Sequence, residues 1–115
     1  MVSGASYKKE FPAELARAGE VRHFVAWLGA VGGLRGGALS DLAVAAEAVL
    51  TDIFLSGEGS MLEIGSETTG DVLKITISHP ELQSRRMADL EGIMAQFLDE
   101  HELSPTRAVL VKRLK

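Results

Sequence analysis

The chain has 115 residues, 46% hydrophobic and 24% charged, a length and composition that suit one soluble domain with its own core and exclude a disordered chain. The formal net charge of -4 argues against a general nucleic-acid binder, and the absence of cysteine excludes disulfides, thiol chemistry and cysteine-based zinc sites. Aromatic residues make up only 5%, so the core must be built from Leu, Val, Ile, Ala and Met.

Residues 1–5 are expected to be flexible, and the first ten residues contain no apolar segment of the kind a signal peptide needs. The longest apolar run, Leu42 to Leu50, is interrupted by Glu47 and is too short to span a bilayer. A cytoplasmic location is the resulting expectation.

"SYKKEFPA" predicts a short strand ending at Pro12, with a helix starting near Ala13. Val21, Phe24, Val25, Leu28 and Val31 follow the spacing of one helical face, with Trp27 on its flank. "GAVGGLRGGALS" then breaks the helix: Gly29, Gly32, Gly33, Gly36 and Gly37 predict a flexible connection. It is not a nucleotide-binding P-loop, because no GK[ST] ending follows and no clear strand precedes it.

Ser40 is the expected N-cap of the second helix, with Asp41 in its first turn. Leu39, Leu42, Ala46, Val49, Leu50 and Ile53 mark its buried face, and Gly57 and Gly59 stop it. "MLEIGSE" and "VLKITIS" alternate with period two across a turn at Gly70, which predicts a hairpin. Leu73, Ile75 and Ile77 take one side, with Lys74, Thr76 and Ser78 on the other.

Pro80 stops the second of these strands. A third helix is expected from about Ser84 to His101, its stripe being Met87, Leu90, Met94, Phe97, Leu98 and His101. After Pro105, "RAVLVKRL" reads as a last strand, interior because it is apolar on both faces. Lys112 to Lys115 read as a solvated basic tail. The fold class is therefore α+β: a two-layer sandwich with a mixed or antiparallel sheet of four or five strands and three helices on one face.

Little in the residues themselves points to catalysis. His23, His79 and His101 have no metal-ligand spacing, and no G-x-S-x-G or HExxH motif occurs. The one acidic residue inside the apolar stretch of the second helix is Glu47, with Thr51 one turn on and Asp52 on a different side. A carboxylate that orients water beside a neutral oxygen on Mg²⁺ is one reading of Glu47 and Thr51. A carboxylate at the edge of a core helix is the other.

From about Glu10 to Lys115 the chain resembles the anti-sigma-factor serine kinases of the bacterial GHKL (histidine-kinase-type ATPase) superfamily. "FPAELARAGEVRHFVAWLGAVGGL" looks like that family's opening strand and first helix. "DLAVAAEAVLTDI" is similar to its second helix, which reads like L-A-V-S-E-A-x-x-N-A. "VLKITISHPEL" stands where a strand leads into D-x-G-x-G, and "DLEGIMAQFLDEHELSPTRAVLVKRL" resembles its G-x-G-L helix and the Gly-Thr before its final strand.

The resemblance implies a catalytic role for Glu47 and a Mg²⁺-binding role for Thr51, which takes the family's Asn position. Aligning on "LAV" instead puts Ala46 on the Glu position, and aligning Asp52 with the Asn leaves Ala48 there. His79 stands in place of the adenine-reading Asp, and Glu81 and Gln83 replace its glycines. The lid is shortened to about a dozen residues. Gly92 keeps one glycine of G-x-G-L, and Thr106 matches the late Thr, so His79, Gly92 and Thr106 are the implied nucleotide-site positions.

The function implied by the resemblance is that of a regulatory protein-binding module with a degenerate ATP site. Its implied partner is a sigma factor or an anti-sigma antagonist, and homodimerisation through the sheet or first helix is implied as well. An active Mg-ATP-dependent serine-protein kinase is the second reading. A structural or oligomerisation domain of another α+β family is the third.

Overall fold

The computed structural model describes residues 6–56, 59–80 and 87–114. Along these the elements run β1 (Ser6–Pro12), a 3₁₀ turn (Leu15–Arg17), α1 (Ala18–Val31), α2 (Gly36–Ser56), β2 (Met61–Thr69), β3 (Val72–Ser78), α3 (Met87–Phe97), β4 (Glu100–Ser104) and β5 (Arg107–Arg113). The strands form one antiparallel sheet in the order β1-β2-β3-β5-β4. This is the expected α+β two-layer architecture, with five strands and three α-helices among the described residues.

Period-two alternation decides which face the helices cover. Leu62, Ile64 and Ser66 of β2, Leu73, Ile75 and Ile77 of β3, and Ala108 and Leu110 of β5 are all buried. The registers Ile64↔Ile77, Ser66↔Ile75 and Ile75↔Leu110 put them on one face. The alternate positions, among them Glu63, Glu67, Lys74, Thr76, Arg107 and Val109, form the opposite face. β5 lies between β3 and β4, the interior place its two apolar faces predict.

The helices meet that core through their expected stripes, with local departures. Val21, Val25 and Leu28 of α1 are buried, but Val31 is 45% exposed at the helix end. α1 begins at Ala18, later than the expected start near Ala13, because a separate 3₁₀ turn occupies Leu15–Arg17. Leu42, Ala46, Val49, Leu50 and Ile53 of α2 are buried as expected, and Leu39 packs against the same cluster.

The glycine-rich connection is shorter than the sequence suggests. Gly29 is buried inside α1, and a Cβ there would stand 2.6 Å from Leu39 Cδ1, so its missing side chain lets α1 and α2 touch. α2 starts at Gly36, leaving Ser40 inside the helix rather than at its N-cap and Asp41 beyond its first turn. Packing of Leu39 and Leu42 offsets the helical cost of two glycines, a tertiary effect that local propensity does not carry. Gly33, at φ +111°, occupies a left-handed turn of this connection that favours glycine.

The largest departure is at the C-terminal third. α3 ends at Phe97, and His101 lies on β4 rather than on a helical stripe. Asp99 N–H donates to Val111 O, turning the chain onto β5, where residues 100–104 complete a ladder. The expected helix start at Ser84 and the stop residue Gly57 lie outside the described residues, as do residues 1–5.

Of the basic C-terminal run, Lys112 to Leu114 is not a solvated tail, while Lys115 lies outside the described residues. Lys112 Nζ donates to Asp41 Oδ2 at 3.3 Å and to Phe97 O at 2.8 Å, tying β5 to α2 and to the end of α3. Its side chain is only 13% exposed. Lys112→Ala is expected to cost about 1.5–2 kcal/mol, the usual range for a charged donor on partly buried acceptors. Urea unfolding at constant m-value measures it.

No helix among the described residues is long and apolar enough to cross a membrane.

Candidate functional site

The resemblance assigns five positions to a catalytic and nucleotide site: Glu47, Thr51, His79, Gly92 and Thr106. The fold distributes them over separate places. Glu47 lies on the α1-facing side of α2, and Arg22 Nε of α1 donates to its Oε2 at 2.5 Å. The two side chains are 49% and 42% exposed. They stand at the rim of a groove of about 480 Å³ whose other walls are Val25, Ala26, Ala43, Val44, Ala46 and Leu50.

This groove exists because its walls are short. Three of those residues are alanines, so the two helices leave a channel between them. Thr51 is one turn beyond Glu47, half-buried, and takes no part in the groove wall. Asp52 is half-buried on a further side of α2.

His79 and Thr106 are brought together at the far end of the sheet. His79 N–H donates to Thr106 O at 3.0 Å. The His79 side chain is 2% exposed, and its Nε2 shares a 2.6 Å hydrogen bond with Ser60 Oγ. Both residues border an open groove of about 440 Å³ with Glu10, Glu63, Ser78 and Arg107. This groove and the Glu47 groove have no residue in common.

Gly92 is exposed in the middle of α3, and a Cβ there would meet nothing within 4 Å, so no close approach of backbone requires it. Glu81 and Gln83, which replace the family's glycines, lie outside the described residues. His101 Nε2 is 2.9 Å from Glu91 Oε2, a pair joining β4 to α3, and His23 is exposed.

The donor set does not suit Mg-ATP. Glu47 accepts a hydrogen bond from a guanidinium, and its groove is lined mainly by hydrocarbon. Among the described residues no three His, Asp or Glu side chains come together as a metal site. His79 is held by Ser60 in a different cavity. Sequence reasoning missed Arg22 and Ser60, the partners that define these surroundings. Arg22 is 25 residues from Glu47 and Ser60 is 19 from His79, separations that leave no local signal.

Fold and cavities together define an α+β two-layer sandwich with an apolar helix–helix groove and a polar groove at one end of its sheet. No protein-family model matches the chain, and no curated protein matches it.

Proposed function

We propose that this chain is a regulatory protein-binding module with a degenerate GHKL-like ATPase fold. It works in the cytoplasm by partner switching in the manner of anti-sigma factors and does not turn over ATP. One observation carries this reading: Glu47, the residue the resemblance makes catalytic, is tied to Arg22 and shares no cavity with His79 and Thr106. The apolar α1–α2 groove, with Val44 45% exposed, offers surface on which side chains of a partner can be buried. The partner is a sigma factor or an anti-sigma antagonist, and the module itself forms homodimers.

The first test is the melting temperature with and without millimolar Mg-ATP. No shift is expected, whereas a ligand at one hundred times its dissociation constant would add about 2.7 kcal/mol. Glu47→Ala is expected to change stability by less than about 1 kcal/mol, as for other half-exposed ion pairs. A rise in melting temperature with Mg-ATP that Glu47→Ala abolishes would replace this reading with the serine-kinase one. Direct binding to purified sigma factors and their antagonists is the second test, with loss of binding expected in Val44→Glu. Failure of all of them to bind leaves the structural domain.

A further inference from the structure

Two stretches of sequence have no role in that reading: the glycine-rich connection around Arg35 and the basic C-terminal run. The fold brings them together. Gly33, Leu34 and Arg35, between α1 and α2, face the end of β5 across a cavity of about 370 Å³. Arg35, Lys112 and Arg113 border it, and Asp99 is the acidic residue in its wall.

The charges do not cancel inside this cavity. Lys112 is engaged by Asp41 and Phe97 O, and Asp99 Oδ2 accepts the neutral backbone N–H of Arg113 at 2.8 Å, so the cations Arg35, Lys112 and Arg113 exceed the carboxylates Asp41 and Asp99 by one charge. Among the described residues the guanidinium groups of Arg35 and Arg113 have no ion pair. Arg35 and Arg113 both border the cavity, and an anion bound there would offset the remaining positive charge. Guanidinium forks match the oxygens of a tetrahedral phosphate, and two forks suit a double charge better than the single charge of a carboxylate.

The walls are fixed before any ligand arrives. Gly33 N–H donates to Ala30 O, Leu34 N–H to Gly29 O and Leu114 N–H to Asp71 O. Leu34 is 3% exposed and anchors the connection in the core. With the backbone held in place, the ordering cost of binding a small anion falls on the two arginine side chains alone.

We infer that this cavity binds a phosphate dianion, free or as a small phosphate ester, through Arg35 and Arg113. The site is separate from both grooves described above, and the inference does not depend on the proposed function. Isothermal titration of the full chain at fixed ionic strength tests it, with inorganic phosphate in one arm and free phosphoserine in the other. Saturable one-to-one binding is expected in at least one arm. Tighter binding of phosphate identifies the free anion as the ligand, and tighter binding of phosphoserine identifies an ester.

Arg35→Gln and Arg113→Gln should each weaken binding about ten-fold, as loss of a charged hydrogen-bond donor does. Lys8→Gln removes the same charge from β1, three strands away from β5 and outside the cavity, and should leave binding unchanged. All three positions are exposed, and an unchanged melting temperature confirms that each variant is folded. Absence of saturable binding in both arms overturns the inference. So does equal weakening by Lys8→Gln, which would mean that the ligand senses net charge and not this cavity.

Discussion

Ile75→Ala is expected to destabilise the protein by about 3–4 kcal/mol, within the range for truncating a fully buried aliphatic side chain. Ile75 is inaccessible to solvent at the centre of β3, the middle strand of the sheet. Ser66 stands beside it on β2 and Leu110 on β5, both facing the same core. β3 is hydrogen-bonded on both sides, so the backbone cannot move inward to fill the space. The site therefore keeps most of the cavity, which places the cost above the minimum for the substitution.

Because a domain of this kind has only about 5–15 kcal/mol of stability in all, the loss is a large share of it. It corresponds to a fall in melting temperature of roughly 15 °C. Val109→Ala, one strand away on the opposite face and only half-buried, should cost less than half as much. Chemical denaturation of both variants gives the comparison, and equal losses would mean that the polar face is covered as completely as the core.

The same contrast explains which parts of the fold are legible in the sequence. β2 and β3 alternate because one of their faces is dry, so burial leaves a period-two record in the residues themselves. α2 records its buried stripe at Leu42, Ala46, Val49, Leu50 and Ile53 for the same reason. β4 leaves no such record: "EHELS" is a short, charged edge strand, and its pairing depends on backbone groups that are the same for every residue. Read alone, it looks like the polar end of a helix. The start of α2 is equally silent, because contact between Leu39 and the Gly29 surface sets it across the helix pair.

The candidate site is legible only as a set of positions. Glu47 stands out in its apolar run, yet its surroundings depend on Arg22, which a different helix supplies. His79 and Thr106 stand out separately, and nothing local indicates that a backbone hydrogen bond joins them. A carboxylate in a helix has the same appearance in the sequence whether it faces water, a metal or an arginine. The distinction is made by tertiary pairing.

The second large effect tests what His79 does. His79→Ala is expected to cost about 2–3 kcal/mol, from the cavity it leaves and the hydrogen bond it removes. The ring is almost wholly enclosed, just beyond the last residue of β3, and it joins that strand's end to Ser60 at the start of β2. The backbone bond to Thr106 O survives the substitution, so the loss belongs to the side chain. Ser60→Ala should cost less, because Ser60 is only half-buried and water can replace part of what it loses. The double variant should recover part of the summed losses, as residues that share a hydrogen bond do. A ligand-reading residue at this position would behave in the opposite way: it would be cheap to truncate in the free protein and costly only for binding. If the His79→Ala protein melts with the parent, the ring is not holding the strand ends together, and a role in binding at the adjoining groove becomes the better account of why a histidine lies there.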